Sequence, residues 1–159
     1  MNIGNKNNFS IEVVETSRNE PFVYGNICLW IKNQCIGYFN EVSYLETVVS
    51  SLKWVLENKN FVDYHHFGDT DEEVFYYLMN SEDELVFKAE FDICDTFDDW
   101  TIRIVLKNEE LYFLWKYSEK PFYKYGEYDT FLHGEIVDRN ILNAVLLELN
   151  KIVFKTTIC

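Results

Sequence analysis

The 159-residue sequence has little of what interrupts or staples a chain. It holds two prolines (Pro21, Pro121), six isolated glycines, no internal repeat and no low-complexity tract. With no composition shift to mark a linker, a single domain over residues 1–159 is expected. The four cysteines, Cys28, Cys35, Cys94 and Cys159, are scattered and form no Cys-x-x-Cys pair. That spacing gives no support to a zinc knuckle or a thioredoxin-type centre, and free thiols are expected. A two-residue turn at Lys32-Asn33 sets Cys35 opposite Trp30 and Cys28 opposite Gly37, out of register for a bridge. No run approaches the ~18 apolar residues of a membrane span, and Met1 to Asn8 lack the charged and apolar regions of an export signal. The location expected is the cytoplasm, away from any membrane.

Basic residues are also scarce, 14 Lys and Arg against 27 Asp and Glu. Without a basic stripe to displace counterions from a polyphosphate, direct nucleic-acid binding is not expected. Enzyme motifs are missing too: no Gly-x-Gly-x-x-Gly, no phosphate loop, no Gly-x-Ser-x-Gly, no His-Glu-x-x-His. No catalytic residue, no cofactor and no metal is assigned. His65 and His66 with Asp63 and Asp69 come nearest to a metal cluster, but adjacent loop histidines are usually incidental. Asp69-Thr70-Asp71 opens like a calcium loop and then lacks the glycine and closing glutamate such a loop requires. Asp95, Asp98 and Asp99 read as a solvated carboxylate cluster.

What the sequence does hold is apolar material, 48% hydrophobic and 18% aromatic, enough for a folded core despite a net charge of -13. Strands are expected at Phe9–Glu15, Phe22–Ile31 and, after the Lys32-Asn33 turn, Cys35–Phe39. In Phe22–Ile31 both faces are apolar, so both are expected to be covered, and Gly37 marks a place where a side chain would collide. Ser43 and Glu46 have capping-box spacing before a helical stripe of Leu45, Val48, Val49, Leu52 and Leu56. Thr70 and Glu73 repeat that spacing before a short helix to about Met79. Strands follow at Leu85–Ile93, with Glu90 and Asp92 on its polar face, at Trp100–Lys107, and from Leu111 to Tyr117 after a turn near Asn108-Glu109. A fourth is expected within Tyr123–His133. Asp138 then precedes a stripe of Ile141, Leu142, Val145, Leu146, Leu149 and Val153. The class is α+β: an antiparallel sheet of about five to seven strands in hairpins and meander, two main helices on one face, and a short third.

Charge is unevenly spread. Residues 61–99 hold thirteen acids and one base, Lys88, so they carry -12 of the net -13. Two readings of this segment stand side by side. One is a solvated face that keeps the protein soluble. The other is a surface for a basic protein partner, which relieves the self-repulsion and accelerates encounter. On the second reading the contact residues come from Asp69, Asp71, Glu72, Glu73, Glu82, Asp83, Glu84, Glu90, Asp92, Asp95, Asp98 and Asp99. Interleaved aromatics such as Phe75, Tyr76 and Phe97 would serve either as interface anchors or as core.

The N-terminal third carries a resemblance. Ile3-Gly4-Asn5, Phe9-Ser10-Ile11-Glu12, Tyr24-Gly25-Asn26-Ile27-Cys28-Leu29-Trp30-Ile31, Ile36-Gly37-Tyr38-Phe39 and the Leu45–Leu52 helix together resemble the immunity protein 42 family of bacterial polymorphic-toxin systems. The resemblance covers about the first 56 residues, through Gly-x-x-Cys-x-Trp and the later Ile-Gly pair. It implies a cytoplasmic protein, encoded beside a toxin, that neutralises it by binding; a reversible complex formed by a monomer or homodimer is expected. These motif residues are mostly apolar or glycine, so the resemblance implies a role and supplies no site. The alternative is a nucleic-acid-mimicking regulator of a DNA- or RNA-binding protein; an undetected hydrolase ranks third.

Overall fold

The computed structural model describes residues 1–123 and 128–155. It divides into two compact units: the first is Met1–Glu57, Ile93–Phe97 and Arg139–Cys159, the second Asn58–Asp92 and Asp98–Asp138. The class is α+β, with eight antiparallel strands in two sheets and three α-helices among the described residues. The strands expected from the sequence are thus shared between a five-stranded and a three-stranded sheet.

In the first unit, β1 (Asn2–Gly4), β2 (Phe9–Asn19), β3 (Phe22–Ile31) and β4 (Gln34–Ile36) pair in that order, and β5 (Val42–Tyr44) pairs with β3. Lys32 and Asn33 turn β3 into β4 with φ of 48° and 65°, the left-handed pair a two-residue hairpin needs to match strand twist. The register follows, with Cys35 opposite Trp30. Cys28, Cys35 and Cys94 are free thiols; Cys159 lies outside the described residues. Although Cys28 and Cys35 are not paired in register, their thiols meet on the diagonal, and that hydrogen bond pushes the Cys28 thiol up and the Cys35 thiol down. Beyond β4, Gly37 takes φ +98°, and an added Cβ would stand 2.5 Å from the Phe97 ring, the collision expected there.

α1 (Leu45–Glu57) and α3 (Arg139–Phe154) pack on this sheet and on each other. Leu45, Val48, Val49, Leu52 and Val55 of α1 and Leu142, Val145, Leu146, Leu149 and Val153 of α3 are buried at helical spacing. Strand alternation supplies the opposing layer: Phe9, Ile11 and Val13 of β2 stand opposite Ile31, Leu29 and Ile27 of β3, all buried. The capping box expected at Ser43 does not form. Ser43 belongs to β5, opposite Gly25, and its hydroxyl is buried 2.7 Å from Thr96 Oγ1.

In the second unit, β6 (Trp100–Lys107), β7 (Glu110–Tyr117) and β8 (His133–Val137) form a meander. Asn108 and Glu109 make its first turn with φ of 53° and 67°. β8 begins at His133, where the strand expected over Tyr123–His133 was to end; residues 128–132 are irregular and 124–127 lie outside the described residues. Val105, Tyr112 and Leu114 on one sheet face pack with Val74 and Leu78 of α2 (Asp71–Asn80) and with Tyr64, Phe67, Val86 and Ala89.

The strand expected at Leu85–Ile93 is replaced by a 3₁₀ helix, Glu84–Ala89. Its period is three, so Val86 and Ala89 are buried while Phe87 is 66% exposed. Asp83 nucleates it by accepting from the Leu85 N–H at 2.9 Å. Only after it does the chain extend, through one antiparallel bridge between Glu90 and Arg103. Glu90 and Asp92 are therefore not the polar face of a regular strand.

Candidate functional site

The acids of residues 61–99 do not act alike, because local folding has already used some of them. Thr70 opens α2 as a full capping box. Its hydroxyl accepts from the Glu73 N–H at 3.2 Å, and the Glu73 carboxylate accepts from the N–H groups of Asp69 (2.9 Å) and Thr70 (3.1 Å). Those backbone donors hold the Glu73 carboxyl below the usual carboxylate range. Asp83 is held low in the same way by the Leu85 N–H, with help from the Tyr77 hydroxyl at 3.1 Å.

Asp71 is the hub of a half-buried cluster. It accepts from the hydroxyls of Tyr64 (2.7 Å) and Tyr112 (2.8 Å), and Lys107 Nζ lies 3.7 Å from it. The same ammonium sits over both rings, 4.1 and 4.3 Å from their centroids. Burial first, and bonding to a carboxylate second, push both phenols above their ordinary range. Gly134 makes room, since a Cβ there would meet Asp71 Oδ2 and the Tyr112 hydroxyl, each 2.4 Å away. Asp99 is only 6% exposed and accepts the N–H groups of Phe122 (2.6 Å) and Tyr123 (2.9 Å), so it anchors the segment after β7. Glu90 faces Arg103 at 3.7 Å.

The rest point outward. Asp69, Glu72, Glu82, Glu84 and Asp92 are exposed in the second unit, as is Asp98; Asp95 is exposed in the first unit. The carboxylates of Glu72, Glu82 and Glu84 make no hydrogen bond or ion pair among the described residues. α2 orders the charges near it: Asp69 and Glu72 lie at its N-terminal end, and Glu82 and Glu84 follow its C-terminal end, about 15 Å away at helical rise. Between them Tyr76 is 71% and Met79 44% exposed.

The two ends differ electrostatically. Acids at a helix N-terminus are stabilised by the positive end of the macrodipole. Glu82 stands at the negative end, beyond a last turn that contains no base, whereas Glu84 opens the 3₁₀ helix that follows. A cation supplied from outside would be favoured there by carboxylates and helix carbonyls together. No three His, Cys, Asp or Glu side chains are grouped to hold a metal ion among the described residues. His65 and His66 lie in a 3₁₀ turn, Tyr64–His66: Asp63 accepts from the His65 N–H at 2.9 Å, and His65 Nδ1 is 3.7 Å from Asp69.

A family model described as immunity protein 42 matches residues 1–152. The chain belongs to the immunity protein 42 family. The match runs far past residue 56, so the residues of β6 to β8 and most of α3 lie within it as well as those of the N-terminal sheet. Membership makes this an immunity protein, whose role is to neutralise a toxin. Comparison with curated proteins returns no match, and neither does comparison with solved structures. No helix among the described residues is long and apolar enough to cross a membrane.

Sequence reasoning missed the outer face of the first sheet. Phe22 and Tyr24, expected to be covered, are 48% and 37% exposed, although Cys28 on the same face is buried. The alternation Phe22, Tyr24, Asn26 against Val23, Gly25, Ile27 contained that signal.

Proposed function

We propose that this immunity protein acts in the cytoplasm of a bacterium carrying a polymorphic-toxin system, where it binds its cognate toxin domain reversibly and without catalysis. The contact is made through the exposed carboxylates of the second unit, above all Asp69, Glu72, Glu82 and Glu84, with a basic surface of the toxin. The charge pattern carries this reading. Glu82 sits where the dipole of α2 disfavours it, and neither its carboxylate nor that of Glu84 makes an ion pair among the described residues, a cost that a cationic partner removes. Asp71, Glu73, Asp83 and Asp99 serve the same surface indirectly, by holding α2, the 3₁₀ helix and the segment after β7 in place. Asp92, Asp95 and Asp98 are assigned to the outer field that steers encounter, and Glu90 to orientation of Arg103.

The test is co-expression and co-purification with the toxin domain encoded beside this chain. A stable complex and protected cells are expected. Failure to protect against that toxin would remove the reading.

A further inference from the structure

The register of the first sheet assembles an apolar surface on the face turned away from α1 and α3. Val14, Asn26 and Val42 form one row across β2, β3 and β5, and Ser17, Tyr24 and Tyr44 form the next. Phe22 lies beyond Tyr24 on the same face of β3. Val14 is 45% and Val42 56% exposed, alongside the exposed Phe22 and Tyr24. The rings are clustered without being covered: the Phe22 and Tyr44 centroids are 5.8 Å apart, those of Tyr24 and Tyr44 5.6 Å. Single exposed apolar residues need no explanation, but a contiguous group of two valines and three aromatics on a rigid sheet is the usual composition of an interface centre.

The charges at its border select the occupant. The Tyr44 hydroxyl donates to Glu46, and Glu20, whose side chain is 75% exposed, stands two residues before Phe22. Arg18, 14% exposed, is bonded to Glu15 and to the carbonyl oxygens of Ile152 and Val153 at the end of α3, and it reaches Glu20 only at 3.5 Å, which leaves most of that exposed carboxylate to solvent. Two copies of this chain meeting face to face would bring Glu20 and Glu46 against their own kind, in molecules of net charge -13. A segment carrying Lys or Arg beside apolar side chains meets both needs, since a cation is attracted by aromatic faces and carboxylates alike.

We infer that the Val14, Phe22, Tyr24, Val42 and Tyr44 face is an anchoring surface for a lysine- or arginine-bearing apolar segment of the toxin domain. The inference rests on the proposed function for its partner, and it assigns the lifetime of the complex to a different surface from the one that sets the rate of encounter.

The experiment measures binding of the toxin domain encoded beside this chain, inactivated by substitution, to the full-length wild type, to Phe22→Ser/Tyr24→Ser and to Glu20→Gln/Glu46→Gln. The first variant is expected to raise Kd about 100-fold, mainly through faster dissociation, with the circular dichroism spectrum unchanged and Tm lowered but well above the temperature of the binding measurement, since both side chains are only half-buried. The second is expected to raise Kd about tenfold. Wild-type binding with both variants within twofold of it would overturn the inference and leave the proposed function standing; no binding by the wild type would overturn both. Loss in the first variant alone would overturn the cationic character of the segment. A wild-type dimer in sedimentation that Phe22→Ser/Tyr24→Ser dissolves would make a second copy the occupant and overturn the assignment to the toxin.

Discussion

The two units differ less in architecture than in charge. The first carries eight acids and seven bases, the second nineteen acids and seven bases, so the chain's charge divides as -1 and -12. In the first, charges are largely spent in pairs: Lys6 with Glu12, Arg18 with Glu15 and Glu20, Lys53 with Glu57, Lys151 with Glu148. In the second, acids that perform a structural task are separated by only one or two residues from acids that perform none. A charge run is therefore a poor unit of interpretation. Its members have to be sorted by what each carboxylate accepts.

The largest effects would break the division itself. Leu29 in the first unit and Leu114 in the second are both fully buried, and truncating either to Ala should cost about 2–5 kcal/mol. The chain passes between the units four times, so we expect one cooperative unfolding transition that either substitution shifts. Calorimetry showing two transitions, each sensitive to only one substitution, would mean that the units unfold separately.

Next comes Asp99→Ala. It leaves two backbone N–H groups without their acceptor and should cost about 3 kcal/mol, lowering Tm by roughly 6–12 °C. Glu82→Ala, exposed and without a hydrogen bond or ion pair among the described residues, should cost far less in the same thermal melt. Equal losses would erase the distinction between structural and outward-facing acids.

Thr70→Ala removes one half of a capping box and should cost about 1 kcal/mol. Glu73 supplies the other half, and its folded pKa lies below its unfolded value. Its contribution is then full above the unfolded pKa and is lost as pH falls through the folded one. Glu73→Gln should accordingly flatten the stability profile on the acid side, below about pH 5, and change its shape little near neutrality. An unchanged acid limb would show that the cap does not hold in solution. The smallest stability effect is expected from Glu72→Gln/Glu82→Gln/Glu84→Gln, within about 0.5 kcal/mol of the wild type.

Much of the fold was legible in the sequence where one physical signal dominated. Thr70 with Glu73 located α2, the left-handed turns at Lys32-Asn33 and Asn108-Glu109 located two hairpins, and helical spacing located α1 and α3. The failures came where two signals competed. Leu85 to Ile93 alternates as a strand does, yet Asp83 caps a 3₁₀ helix there and the buried residues are Val86 and Ala89. Ser43 has the spacing of a cap, yet Thr96, distant in sequence, claims its hydroxyl. Of the candidate site, the acids were legible and their division of labour was not, because Asp71 and Asp99 owe their roles to Tyr64, Tyr112 and the Phe122 and Tyr123 backbone. The aromatic outer face was written into the alternation of β3, but burial cannot be read from alternation when both sets of residues are apolar.

The most direct test of the central claim is the association rate with the cognate toxin domain across a salt series, for the wild type and for Glu72→Gln/Glu82→Gln/Glu84→Gln. The account predicts a fast wild-type rate that falls steeply as salt rises, and a variant that is about tenfold slower at low salt with a flatter slope. Identical rates and slopes for the two proteins would contradict it.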